Sequence, residues 1–278
     1  MVGIDNKSPL TFKSTKMNFD FLRPYCADSK IRVGKISDGG YVLEHGSLDD
    51  FEILYSYGVG WDVSFEKALH KRYKKPSRIF DPTLFDVGNI PLFAKQRLRS
   101  LVKYIARVMV WAPFLMFLKS SHQVTFYNEG LGVSQKYKYD SFPNHLKRYG
   151  DEGKKILLKI DIEGGEYEVL KDEEFLKTLD NVVQIAIEFH DAHLRFAELK
   201  NVIESLNKKF TIVHFHGNNY AGVFELGGKQ IPKVLELTFL NNSYLKSKQL
   251  DFSPMPVPDM DYPNHPGQPD IDISRIFA

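Results

Sequence analysis

Apolar residues in this chain fall into short unbroken runs, separated by longer stretches with helical spacing. Glu52 to Tyr57 runs into Gly58-Val-Gly60, and Ser77 to Phe80 runs into Asp81-Pro82. Gln123 to Tyr127 ends at Asn128-Glu-Gly-Leu-Gly132, and Lys155 to Ile160 ends at Asp161-Ile-Glu-Gly-Gly165. Val182 to Phe189 ends at His190, while Phe210 to Phe215 and Val234 to Leu240 complete a set of seven predicted strands. Helices are predicted over Ser64 to Tyr73 with Ser64 as N-cap, over Glu166 to Leu179, and over Ala192 to Asn207. The second presents Leu170, Phe175, Leu176 and Leu179 on its apolar face. Strands alternating with helices imply βαβ units and a mostly parallel sheet in an α/β fold. Residues 1–278 read as one domain. The segment 249–278 carries Pro254, Pro256, Pro258, Pro263, Pro266 and Pro269, and reads as an extended tail laid on its surface.

The alternation is interrupted at residues 91–119. The first half of that stretch is a basic amphipathic helix, and Val108 to Leu118 is an uncharged apolar run of 11 residues containing Pro113. Such a run is too short to span a bilayer. It reads as a helical insertion that covers a site or packs on the sheet, with peripheral membrane contact or a dimer contact as alternatives. Composition adds exclusions. With 37 basic and 35 acidic residues the net charge is +2, so no polyanionic partner such as nucleic acid is implied. The one cysteine, Cys26, excludes an internal disulfide and a cysteine-rich zinc site. The N-terminus lacks a basic start followed by an apolar stretch, which leads to the expectation of a cytoplasmic protein.

The candidate chemistry lies where the strands end. In open α/β sheets, ligands bind outside the carboxyl ends of the strands. Gly58 and Gly60 at the first strand-to-helix turn allow a ligand to approach the backbone, and Asp81 ends the next strand about 20 residues on, where an acid accepts hydrogen bonds from ribose hydroxyls. A dinucleotide fingerprint would place a third glycine near position 63, which is Val63 here. That favours a nucleoside ligand without a pyrophosphate, and S-adenosylmethionine fits. Plain turn glycines and helix-capping acids are the structural alternative.

The stretch Lys159-Ile-Asp-Ile-Glu-Gly-Gly-Glu-Tyr-Glu-Val-Leu170 closely resembles the signature of FkbM-type S-adenosylmethionine-dependent methyltransferases. Arg32 to Leu43, Tyr55 to Glu66 and Asp261 to Ile271 are similar to the methyltransferase-like branch of that group. The resemblance implies a class I methyltransferase (Rossmann-like) fold, a seven-stranded sheet with its last strand antiparallel. It also implies methyl transfer to oxygen, often on a sugar or natural product. The acid that this pattern places two residues before the first glycine is Ser56 here, so Asp62 or Glu66 is expected to hold the amino-acid end of the cofactor.

His190 follows Glu188 at the end of strand five, and alternation puts His214 and His216 on one side of strand six. An O-methyltransferase must remove the acceptor's hydroxyl proton. Asp161, His190 and His216 are the catalytic candidates, with an acid limb near pH ~6.5 if a histidine is the base. Asp161, Glu188 and His216 are candidate ligands for a divalent metal, magnesium or manganese. Asn218, Asn219 and Tyr220 are placed to contact a sugar. The expected activity is O-methylation of a sugar hydroxyl on a glycan or glycosylated metabolite. The alternatives are an NAD-dependent oxidoreductase acting on a nucleotide sugar and a non-catalytic cofactor-binding module.

Overall fold

The computed structural model describes residues 17–84 and 112–278. The sequence-predicted insertion at 91–119 therefore lies outside the described residues except for its last helical stretch. Five strands, β3 (Ile53–Tyr57), β4 (Ser77–Phe80), β5 (Val124–Tyr127), β8 (Ile156–Ile160) and β9 (Val182–Phe189), run parallel. Two more, β10 (Phe210–Leu226) and β11 (Lys229–Asn241), form a hairpin, with β11 antiparallel to both β10 and β9. The seven lie in the order β10-β11-β9-β8-β3-β4-β5, the class I methyltransferase arrangement. Every residue of β3, β8 and β9 is buried, which is why their sequences are near-continuous apolar runs. The chain moves outward from β3 to β5 and then crosses back to β8, so β3 and β8 flank the topological switch point.

Helices cover both faces. One is packed by α3 (Phe142–Tyr149), α4 (Glu166–Val169), α5 (Glu173–Lys177) and α6 (Ala192–Leu206) through Phe142, Tyr167, Phe175, Leu199 and Ile203. The other carries α1 (Ser64–Tyr73) and an antiparallel hairpin of β1 (Lys30–Val33) and β2 (Tyr41–Glu44), joined through Val33, Leu43, Phe65 and Leu69. The helical stretch 112–120, which we label α2, buries Phe114 and Phe117 against Val59, Ile79 and Val124. Two short parallel strands, β6 (Gly130–Leu131) and β7 (Tyr139–Asp140), pair apart from the main sheet.

Several local expectations change. The predicted helix from Glu166 to Leu179 is broken, because the Asp172 side chain caps the amide of Phe175 at 3.0 Å and restarts the helix. Ser64 is the first helical residue rather than the cap, and the Asp62 side chain accepts its amide at 2.8 Å. Strand six is far longer than predicted. Gly227 and Gly228, both at positive φ (58° and 76°), make a two-residue turn of the kind that right-twisted hairpins prefer, so pairing runs to Leu226.

The proline-rich tail is held by polar side chains of β10. His214 Nε2 meets Asp261 Oδ1 at 2.8 Å, and Asp261 Oδ2 accepts the Val257 amide at 2.7 Å. Asn219 grips the carbonyls of His265, Gln268 and Pro269, and accepts the His265 amide at 2.7 Å. His216 is sandwiched between Glu236 (3.0 Å) and Asp270 (3.0 Å). Burial opposes its charge, but those two carboxylates outweigh burial and lift its pKa to about 10. An unfolded histidine loses its proton near pH ~6.5. The stabilisation from the ion pairs is thus fully present below pH ~6.5 and is lost as pH rises to about 10. Thermal unfolding followed by circular dichroism should show stability falling across that window by on the order of a few kcal/mol. His216→Gln should flatten this part of the profile. A variant that declines in parallel with the wild type would rule out His216 as the source.

Candidate functional site

At the switch point the backbone of β3 and the end of β8 touch. Gly58 adopts φ +73°, and a Cβ there would lie 1.4 Å from the carbonyl oxygen of Asp161. No side chain is compatible with that approach. Gly60, at φ +57°, has open space where a Cβ would sit. The two glycines therefore do different things: Gly58 admits Asp161, and Gly60 leaves the turn bare. Gly58→Ala should destabilise the fold by more than ~3 kcal/mol, since strain adds to a backbone clash, whereas Gly60→Ala should cost only about 1 kcal/mol. Denaturant unfolding of the two variants measures the contrast, and equal losses would show that the close approach is not needed.

A cavity of about 510 Å³ opens at this point, lined on one side by Gly58, Gly60, Trp61, Asp62 and Asp81. On the other side lie Lys159, Asp161, Glu163, Glu188, His190 and Tyr220. Asp81 is buried. Its Oδ1 takes the amide and hydroxyl of Thr83 and the amide of Leu84, and its Oδ2 takes the amide of Gly60 at 2.8 Å. Oδ2 thus keeps a lone pair for a ligand hydroxyl. Asp62 reaches the rim and pairs with Lys35. Glu66 does not reach the cavity. Its Oε1 accepts the Ser56 hydroxyl at 2.5 Å, Oε2 is buried without a partner among the described residues, and burial raises its pKa. The strand-end acid has in effect moved from β3 to the first turn of α1, behind the site rather than in it.

The carboxylates are tied together by two residues that the sequence reading did not place in the site. Lys159 is buried, with Nζ 3.2 Å from the Gly58 carbonyl and 3.3 Å from Asp161 Oδ2. Burial works against its charge, but Asp161, Glu66 and Glu188 prevail and hold its pKa above the ordinary lysine value. The Tyr41 hydroxyl, on β2, lies 3.2 Å from Asp161 Oδ2 and 3.2 Å from Glu188 Oε2 and has one proton to donate between them. Lysine inside the aliphatic run Ile156 to Ile160 was the available signal for the first. Tyr41 lies within the Arg32 to Leu43 motif, but its role was not legible there, because the hairpin that delivers it is distant in sequence from the strand ends it joins.

Glu188 is buried, and its Oε1 also accepts the Asn218 amide at 2.8 Å. Burial, Asp161 and Glu236 push its pKa well up. His190 Nδ1 donates to Glu166 Oε1 at 3.0 Å, while Nε2 faces Glu163 at 3.5 Å and Asp161 and Glu188 at 3.9 Å each. Its burial is overcome by Glu166, Glu188 and Asp161, and its pKa rises to about 9. His190 is therefore an imidazolium at neutral pH, as is His216. A histidine base titrating near ~6.5, expected from the sequence, does not fit either of them.

The expected cluster of Asp161, Glu188, His190 and His216 is thus brought together only in part. His216 is absent from the cavity lining, and both ring nitrogens face tail and β11 carboxylates, so it is not available as a ligand beside Asp161. Asp161, Glu163 and His190 instead offer donor atoms within 4.8 Å of one another. Glu163 sits at φ +54° in the turn that presents it. Asn219 is spent on the tail, leaving Asn218 and Tyr220 on the cavity wall. A register break between Asn218 and Val223 turns Tyr220 outward, a β-bulge beside the site. Asn264, from the tail, spans two acids: its Nδ2 donates to Glu236 Oε1 at 2.5 Å and to Asp38 Oδ1 at 3.2 Å. Asp38 lines the cavity. No helix among the described residues is long and apolar enough to cross a membrane.

Residues 141–213 match the family model described as the methyltransferase FkbM domain. None of the curated proteins compared with the chain matches it. Among solved structures, a fibrillarin/Nop5p complex aligns with TM-score 0.37 and 10% identity over 69% of this chain and 73% of that one. A precorrin-6y C5,15-methyltransferase from Geobacter metallireducens aligns with TM-score 0.35 and 10% identity over 70% and 86%. Streptococcus pneumoniae Sp1610 in complex with S-adenosyl-L-methionine gives TM-score 0.33 and 16% identity over 74% and 71%.

Proposed function

We propose that this chain, whose residues 141–213 match the methyltransferase FkbM domain, transfers the methyl group of S-adenosylmethionine to a hydroxyl oxygen, on a sugar of a glycan or a glycosylated metabolite. The observation that carries this reading is the convergence at one cavity of the bare Gly60 turn, Asp81 with its spare lone pair, and the Asp161 carboxylate. S-adenosylmethionine supplies an electrophilic methyl group on a sulfonium. The chain's part is to align and to move a proton. Asp81 and the Gly60 turn hold the nucleoside, and Asp62 is placed for its amino-acid end. Asp161, fixed by Lys159 and Tyr41, takes the acceptor's proton as its oxygen attacks the methyl carbon in line. Trp61 and Tyr220 give the rim flat apolar faces of the kind that sugar rings lie against.

Calorimetry with S-adenosylhomocysteine tests the donor half. Asp81→Ala should weaken binding by ~1.5–3 kcal/mol, ten- to more than a hundredfold, because a ribose hydroxyl loses a charged acceptor. Unchanged affinity would remove Asp81 from the site. Radiolabelled transfer to a glycan and glycoside panel tests the acceptor half. Asp161→Ala should abolish transfer while S-adenosylhomocysteine still binds, and retained turnover would remove the proton-acceptor role.

A second reading adds a divalent cation, favoured by the convergence of Asp161, Glu163 and His190. Mixed carboxylate and imidazole donors suit magnesium or manganese; His190 would give up its Nε2 proton to the solvent on binding the ion, and Glu166 on Nδ1 would fix the ring. Such an ion would hold the acceptor oxygen and favour its deprotonated form. Loss of transfer in chelator with recovery on adding manganese supports it. Full transfer in chelator eliminates it.

A further inference from the structure

Consecutive residues of the β10 bulge tie the cavity to the tail. Asn218 turns toward the cavity: its Nδ2 donates to Glu188 Oε1 at 2.8 Å, and its Oδ1 accepts the Tyr220 amide at 2.9 Å. Asn219, buried, grips the tail at His265, Gln268 and Pro269. Tyr220 follows, on the cavity wall and 59% exposed. The His265 ring meets the Tyr220 ring at 5.0 Å and 77°, an edge-to-face contact. His265 is itself fixed. Its backbone is paired on both sides by Asn219, and its Nδ1 accepts the Gly267 amide at 3.1 Å. A Cβ at Gly267 would lie 2.9 Å from His265 Cε1, so the ring occupies the space that the glycine leaves. The tail is anchored by polar contacts at Asp261, Asn264 and Asp270 and through Asn219. The His265 ring makes a contact of another kind, with an aromatic side chain at the cavity wall.

We propose that the tail is part of the acceptor site: His265 is a positioning residue that presets Tyr220 as the wall against which an acceptor sugar lays its ring. The proposal rests on the methyl-transfer reading above and assigns this wall to the acceptor, while Asp81 and the Gly60 turn on the other side of the cavity serve the donor. Tyr220 shares its side of the lining with Asp161 and Glu188. A ligand held there meets an aromatic face and hydrogen-bonding carboxylates together. A pyranose, with apolar C–H faces and hydroxyls at its edge, matches both. An exposed aromatic ring that turns freely must be ordered by whatever binds it, which weakens binding by roughly 3- to 10-fold. With His265 against it, that ordering is already complete in the free protein.

Fluorine NMR on the full chain, with fluorotyrosine incorporated at position 220, tests this. The probes are methyl pyranosides of the common hexoses, added to protein saturated with S-adenosylhomocysteine. At least one should shift the resonance saturably. His265→Ala should move the resonance of the sugar-free protein, weaken that pyranoside by roughly 3- to 10-fold, and leave S-adenosylhomocysteine affinity by calorimetry within about twofold. His265→Phe keeps an aromatic ring and loses only the hydrogen bond from Gly267, so it should retain most of the pyranoside affinity. Gly267→Ala displaces the His265 ring by its Cβ alone; it should act like His265→Ala and replaces that variant if it does not fold. The proposal is overturned by a wild-type resonance that no pyranoside shifts, by unchanged pyranoside affinity in the variants, by His265→Phe faring no better than His265→Ala, or by an equal loss of S-adenosylhomocysteine. Each of these leaves the methyl-transfer reading standing. A folded wild-type protein that does not bind S-adenosylhomocysteine would overturn that reading itself.

Discussion

The contact between Gly58 and the carbonyl of Asp161 is the constraint on which the site depends. It joins the Gly58–Gly60 turn to the strand end that carries Asp161, with no side chain between them. Lys159 repeats the tie in electrostatic form, since one ammonium reaches the Gly58 carbonyl and the Asp161 carboxylate together. Burying that ammonium is costly on its own and becomes favourable only because acids surround it. The acids in turn tolerate their mutual proximity because the lysine and the Tyr41 hydroxyl are there.

Much of the sheet was legible in the sequence, and the reason is burial. β3, β4, β8 and β9 are covered on both faces or nearly so, and solvent never imposes an alternation on them, so apolar runs mark them within a residue or so. Helix α6 was legible for the opposite reason, because one face is packed and the other wet. The helix predicted from Glu166 to Leu179 failed where a local interaction outcompeted the periodic pattern: Asp172 offers the backbone a cap in mid-run. The β1–β2 hairpin was missed because β1 is only partly buried and carries Lys30 and Arg32, so no apolar run marks its start.

The site divides along the same line. Gly58, Gly60, Asp81, Asp161, Glu188 and His190 were legible because each ends a strand, and strand ends converge at one edge of such a sheet whatever the loops do. His216 satisfied the same rule and still fell outside, because β11 is inserted between β10 and β9 and interposes Glu236 between His216 and Glu188. Chain order alone does not reveal that insertion. Glu66 failed differently: it is close in sequence to the Gly58–Gly60 turn, but its side chain enters from α1 and is taken up by the Ser56 hydroxyl.

Asn264 shows how narrowly the charges of this site are kept apart. Its amide nitrogen donates at once to Glu236 and Asp38, which approach it from opposite elements, and so it works as an insulator between two acids. An exchange of that amide for a carboxylate would alter the shape of the side chain hardly at all. It would nevertheless convert a donor into an acceptor and set three carboxyl groups against one another. The tail would then lose this tie through its chemistry rather than through any loss of fit. A segment that reads as a mere wrapping of prolines thus owes one of its ties to the chemistry of a single nitrogen, beside those made by His214, His216 and Asn219.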